Sequence, residues 1–162
     1  MNSNTLGSVE GVVGSDNLPQ SARSHSSLPH ISYADRFTLS TDTDSTPQQW
    51  ARAIFGGTPN RSQRFIWGGL LGLRLVREPS EATIAGWRIG GHGKDWIRLE
   101  NSSWFMNANL LVQKIDGKVS LATLIQYTHW FARLWWPPLA IIHRFIVPRM
   151  LLKAAEKVRA RL

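Results

Sequence analysis

The stretch HWFARLWWPPLAIIHRFIVPRM, residues 129–150, decides how this chain must fold. It holds three of the eight tryptophans and three of the eight prolines, and three arginines interrupt its apolar run. A membrane-spanning helix needs about 20 consecutive apolar residues. Here the longest uncharged run covers residues 134–142, with Arg133 before it and His143, Arg144 and Arg149 after it. A spanning anchor is therefore excluded, whereas a helix lying on a membrane surface is not. Pro137 and Pro138 suit the first turn of a helix, and Pro148 falls where a kink is expected. From Leu139 to Leu152 the apolar positions nearly encircle the helix axis, which is the pattern of a helix covered on most sides. A sheet covers one side only. The other side must meet short helices, a ligand, lipid or a partner chain.

Upstream of this stretch the texture is that of strands. Residues 82–91, 95–101, 104–115 and 118–130 are four candidates, joined by the short links HGK, SS and DG. Asp116-Gly117 is a two-residue hairpin signal, and links this short make neighbouring strands antiparallel. Further upstream, YADRFTLST, residues 33–41, alternates apolar and polar residues as a half-wet strand does. Thr46, Pro47 and Gln49 form a capping-box signature for a helix over residues 47–55, stopped by Gly56 and Gly57. A second short helix is expected within residues 62–75, weakened by Gly68 and Gly69. Residues 1–32 are Ser-rich and without period, and are expected to be disordered. Residues 33–162 then form one domain. Its order is strand, two short helices, antiparallel meander and long final helix. The expected fold is α+β of the helix-grip kind: a curved antiparallel sheet wrapped around a long C-terminal helix, with a cavity between them.

Composition narrows the chemistry. The chain has 162 residues and no cysteine, which excludes disulfides, thiolate metal sites and cysteine nucleophiles. The five histidines, His25, His30, His92, His129 and His143, show no metal-ligand spacing. GGHGKD, residues 90–95, lacks the spacing and the hydroxyl residue of a phosphate loop and reads as a hairpin turn. No serine sits in a nucleophile elbow, and Asp42 and Asp44 fall in a polar loop. No metal, nucleotide, flavin or other cofactor is expected. The net charge is +8, but its bases are scattered until Lys153, Lys157, Arg159 and Arg161. Cations there complement the end of a helix dipole, so nucleic acid is not expected as a partner. Residues 1–31 carry no apolar core of a signal peptide, and a cytoplasmic location is expected.

A period of two assigns side chains to the space between sheet and final helix. Trp87 and Ile89 come from the first meander strand, Leu99 and Asn101 from the second. Met106, Ala108 and Leu110 come from the third; Thr123, Ile125, Tyr127 and His129 come from the fourth. Trp135, Leu139, Ile142 and Ile146 are the expected helix contributions, beside His143. The polar tips in this set are Asn101, Thr123, Tyr127, His129 and His143.

The segments YADRF, GWRI and TLIQYTHWFARLWWPPLAIIHRFIVPRMLLKAA resemble an uncharacterised bacterial domain family of the START-like, polyketide-cyclase-like (SRPBCC, helix-grip) superfamily. The resemblance covers about residues 33–155. Its best motif is the run from the aromatic-histidine pair through Ala132-Arg133-Leu134-Trp135-Trp136 and His143-Arg144 to Pro148. Members of the family often carry one proline before the His-Arg pair, where this chain has Pro137-Pro138. The resemblance implies binding of hydrophobic small molecules, with transport in some members of the superfamily and cyclisation or rearrangement of polyketides in others. The family brings no established catalytic residues.

Each polar tip has a chemical reading and a structural one. His143 can act as acid or base near neutral pH, or tie the helix to the sheet. Tyr127 and His129 can serve one ligand as phenol donor and imidazole base, or sit at a strand end facing water. Asn101 can polarise a carbonyl. Trp87, Trp104, Trp130, Trp135 and Trp136 can stack on a flat ligand or fill core. The expected function is binding of a hydrophobic small molecule, leaning to a cofactor-independent cyclase-type or rearrangement enzyme for natural-product biosynthesis. The alternative is a non-catalytic carrier or sensor of lipid-like ligands whose basic helix makes peripheral membrane contact. A homodimer through the Trp-rich helix is a weaker third reading.

Overall fold

In the computed structural model, which describes residues 9–161, seven strands form one antiparallel sheet. They are β1 (Glu10–Val13), β2 (Tyr33–Ser40), β3 (Thr83–Ile84), β4 (Trp87–His92), β5 (Trp96–Ser102), β6 (Met106–Ile115) and β7 (Lys118–Tyr127). Their order in the sheet is β1-β2-β7-β6-β5-β4-β3. Four helices accompany them: α1 (Gln20–Ser24), α2 (Pro47–Phe55), α3 (Arg61–Gln63) and α4 (Phe131–Ala160). The chain is thus a mixed α+β domain whose general shape is consistent with a helix-grip fold.

Local chemistry explains most of these elements. Asp116 and Gly117 adopt φ of 53° and 72° between the paired residues Ile115 and Lys118. Positive φ at both central positions is what a two-residue hairpin with right-twisted strands requires. Thr46 and Gln49 make the reciprocal capping box, with Pro47 in the first turn of α2. The second short helix takes another form. After α3, capped by Asn60 and Gln63, residues Arg64–Leu70 wind as a π-helix over the glycine pair. The expected strand over residues 82–91 is broken into β3 and β4. Ala85 and Gly86, with φ of 50° and 84°, turn the chain back between the paired residues Ile84 and Trp87. An alanine at positive φ is uncommon, so the pair carries no hairpin signal in the sequence.

The expectation of a curved sheet wrapped around α4 is overturned. The sheet is open, not strongly curled, with β1 and β3 as its two edges. The reason lies in how the front face is covered. The apolar residues of α4 rest on β2 and β7, while α2 rests on β5 and β6, and the two helices pack against each other. Two helices side by side bury a broad face without the sheet having to close around either. The stripe of α4 that makes this contact includes Ala132, Trp136, Ala140, Val147, Leu151, Ala154 and Val158, all buried. Its alanines, with Ala155 beside them, let the helix lie close to its neighbours. Full burial of each larger side chain contributes about 1.5–3 kcal/mol.

The back face is also dry, which corrects the expected disorder of residues 1–32 from residue 9 onward. β1 pairs with β2 at the sheet edge, and the chain then crosses the back of the sheet. Leu18 and Ala22 pack on Ala34, Leu111, Ala122 and Leu124, with Leu28 and Ile31 partly buried beside them. Polar ties hold this strap. Ser26 Oγ and Ser27 N donate to Asn109 Oδ1 at 3.1 and 2.9 Å, and Arg98 Nη1 donates to the His25 carbonyl at 2.7 Å. The His25 ring stacks on Trp96 at 4.1 Å. Asn109, Gln113 and Ser120, on the opposite side of β6 and β7 from the residues that face α4, are therefore buried. Among the described residues no helix is long and apolar enough to cross a membrane.

Leu18→Ala separates a packed strap from a disordered tail. Because Leu18 is 3% exposed, urea unfolding is expected to show a loss of about 2–4 kcal/mol. A change within about 0.5 kcal/mol, the ordinary range for surface positions, would show the strap to be energetically idle.

Candidate functional site

The alternation of β2 places Tyr33, Asp35, Phe37 and Leu39 toward α4. Phe37 and Leu39 enter the main core, and Asp35, with no exposed surface, is enclosed beside them. A carboxylate on the apolar side of a strand is costly unless it is paired or hydrogen-bonded. Three groups answer it. The Tyr33 hydroxyl donates to Asp35 Oδ2 at 2.6 Å. His143 Nε2, from the middle of α4, stands 3.1 Å from the same oxygen, within ion-pair reach. Its N–H is not aligned for a hydrogen bond to that oxygen. Arg144 Nη1 donates to the Tyr33 hydroxyl at 3.3 Å. The Trp136 ring lies 5.3 Å from Tyr33 and 5.5 Å from His143, walling the cluster.

Three buried polar atoms here have no hydrogen-bond partner in the protein: Asp35 Oδ1, Thr123 Oγ1 and Trp136 Nε1. Thr123 is the register partner of Asp35 across β2 and β7, so both side chains rise from the same face. Most buried polar groups in folded proteins are satisfied, so these atoms are exceptions, as are Arg36 Nε, the Nε1 atoms of Trp50 and Trp87 and the Gln113 amide elsewhere in the chain. The set holds acceptors in the carboxylate, donors in the indole, and both in the hydroxyl. It suits a hydroxyl or carbonyl group far better than a metal ion. Among the described residues no group of three or more His, Asp or Glu could hold a metal.

The phenol of Tyr33 is held well above its usual range. Burial is the main cause, the neighbouring charge of Asp35 adds to it, and Arg144 opposes it. Tyr33 thus stays a neutral donor to Asp35 and does not serve as a base. Tyr127 is raised too, by burial, with Arg133 opposing.

The other expected site residues separate into four places. Tyr127 and His129 do come together, but at the sheet end, in an open cavity of about 410 Å³ with His30, Ser32, Trp130 and Arg133. His129 Nδ1 accepts from the Phe131 amide at 3.1 Å, and the ring meets Trp104 edge-on at 5.0 Å, so it shapes the entry into α4. Asn101 is buried, and its Oδ1 accepts from the Arg74 and Ser102 amides at 3.0 and 2.8 Å, which ties a loop to the sheet. Trp87, Leu99, Met106, Ala108, Leu110 and Ile125 are buried in the main core. Ile89, Trp135 and Leu139 pack partly against it, and Trp135 Nε1 donates to the Leu70 carbonyl at 2.7 Å. Ile142 and Ile146 do not face the sheet: they are exposed, because helical spacing sets them opposite the stripe of Trp136, Ala140 and Val147. A further open cavity, about 560 Å³, lies beside the π-helix between Pro59, Arg64, Leu73, Leu75 and Arg77.

Sequence reasoning picked out His143 and Thr123 but missed Asp35, Tyr33 and Trp136 as their partners. The signal was present in YADRF, where an aspartate occupies an inward position of an alternating strand. Compared with protein-family models and with curated proteins, the chain finds no match.

The chain has two tyrosines, and both are shifted the same way, which gives an alkaline test. Absorbance at 295 nm is expected to show both phenols ionising above the ordinary value of about 10 while the protein is folded, Tyr33 the further of the two. The fold binds these protons more tightly than the unfolded chain does. The stabilisation from them is therefore complete below pH about 10 and falls away as pH rises above it. Asp35→Asn is expected to bring the Tyr33 transition down, and Arg144→Ala to push it further up. A normal transition for both phenols in the folded protein would contradict this geometry.

Proposed function

We propose that the protein binds a hydrophobic small molecule carrying one hydroxyl or carbonyl group and rearranges it by cofactor-independent proton transfer, as cyclase-type members of the START-like superfamily do. The observation that carries this reading is the buried Asp35–His143 pair with its unpartnered atoms, set into an otherwise apolar layer between sheet and helix. A passive carrier of oily ligands needs no buried ionisable group, whereas acid–base chemistry does. In this reading the polar group of the ligand hydrogen-bonds Asp35 Oδ1 and Thr123 Oγ1. Trp136 offers its N–H and its ring face, and His143 moves the proton. Asp35 orients the imidazole and offsets its charge when it is protonated. The apolar remainder lies under α4, against residues such as Leu99, Ala108 and Ile125, and its entry displaces the helix. The pocket would hold a flexible chain in one reactive shape, which lowers a barrier by proximity. The reading also supports a cytoplasmic enzyme of natural-product biosynthesis.

Retinol, a fluorescent polyene alcohol, tests the binding step. Wild type is expected to enhance its emission saturably. Asp35→Asn and Thr123→Val, with melting temperature as the folding control, are each expected to weaken binding about tenfold, the value of one hydrogen bond to a charged or buried group. Native mass spectrometry of freshly purified protein is expected to show an organic adduct that His143→Ala retains without converting. If retinol leaves the protein untouched and no adduct accompanies it, the interior site is filled by protein and water alone, and this reading fails.

A further inference from the structure

The outer face of α4 raises a separate question. Leu134, Ile141 and Phe145 are 64–68% exposed, and Ile142 is 55% exposed. Spacings of three or four residues put Leu134, Pro138, Ile141 and Phe145 on one side of the helix, opposite the buried stripe, with Leu152 two turns further along the same side. At the N-terminal end of that face, Trp130 and Trp104 are also exposed, at 65% and 58%. Single exposed apolar residues are ordinary, but an apolar face running about three turns marks a docking surface.

Its charge says what docks there. Arg133, Arg149 and Lys153 are exposed along α4, and Arg149 lies over the Phe145 ring at 4.4 Å. Between Gly117 and Ala155 the sequence contains no aspartate or glutamate. A second copy of the chain fits this face poorly. Any self-pairing of α4 over this length would bring arginines and lysine against their own kind with no carboxylate to answer them. An anionic lipid surface answers both features together. Its acyl boundary takes the aliphatic and aromatic side chains, its headgroups take the cations, and tryptophans settle at the headgroup level.

We infer that the outer face of α4, from Trp130 to Lys153, is a peripheral docking surface for membranes bearing anionic lipid. This goes beyond the interior site and does not depend on it, although both use the same helix. A ligand leaving the bilayer would meet α4 before the sheet.

Co-sedimentation with vesicles checks the inference. Vesicles of phosphatidylcholine with about one third phosphatidylglycerol are expected to bind the protein, and pure phosphatidylcholine vesicles to bind it far less. Ile141→Glu/Phe145→Glu places charges at exposed positions, so it is expected to keep the circular dichroism of the wild type and to abolish binding. Arg149→Ala/Lys153→Ala is expected to weaken binding about 25-fold, at roughly fivefold per cation near the surface. Raising salt is expected to weaken wild type toward the level of that variant. Light scattering on the protein alone gives the competing outcome. A stable dimer that Ile141→Glu/Phe145→Glu dissolves, with no vesicle binding by wild type, would overturn the inference in favour of a second copy. Equal binding to both vesicle types would remove the anionic-lipid specificity, and no binding to either would overturn the inference outright.

Discussion

The pairing of β2 with β7 is the contact on which the rest of the structure depends. It joins the first long strand of the chain to the last across eight registered pairs, from Tyr33 with Ile125 to Ser40 with Lys118. Only with β2 in that place does α4, which leaves β7 at once, come to lie over Tyr33 and Asp35. The same pairing gives β1 an edge to extend and gives the residues after it a back face to cross. Loop closure between such distant segments costs entropy that local contacts cannot repay. Burial on both faces repays it: the main core lies under α2 and α4, and the smaller one under the strap.

A consequence is the concentration of polar chemistry at one point in an apolar layer. Asp35 lies in the β2–α4 contact beside Tyr33 and His143, and its Oδ1, like Oγ1 of its register partner Thr123, has no hydrogen-bond partner. Packing alone would be better served by valine at both positions, since unpaired buried polar atoms each cost about 1–3 kcal/mol. The cluster is therefore costly to the fold. The same helix is apolar on its opposite side, where nothing in the described chain covers it. α4 thus stands between a polar interior point and an oily exterior face, with Pro137, Pro138 and Pro148 removing three amide donors from its backbone.

Where local chemistry alone dictates conformation, the elements could be read in advance. The Asp116-Gly117 turn and the Thr46–Gln49 capping box are of this kind, because each is completed within four residues. So is the absence of a spanning helix, which follows from the spacing of Arg133, His143, Arg144 and Arg149. Legibility ended where a few side chains act at long range. The strap of residues 14–31 is held by Leu18, Ala22, Leu28 and Ile31 with side-chain ties to Asn109 and Arg98, a pattern with no period to detect. The Ala85-Gly86 turn was hidden because its strain is imposed by the strands it joins.

The sequence by itself determined that this chain carries an antiparallel meander followed by one long apolar helix, since period-two and helical patterns are written residue by residue. Only the tertiary structure decided that the sheet stays open, because α2 and α4 share its face. It also decided which side of the encircling apolar pattern on α4 is buried, placing Trp136 and Val147 inward and Ile142 and Ile146 outward. That choice follows from the angle at which α4 leaves β7, and angles between elements are set by packing, which no single segment encodes.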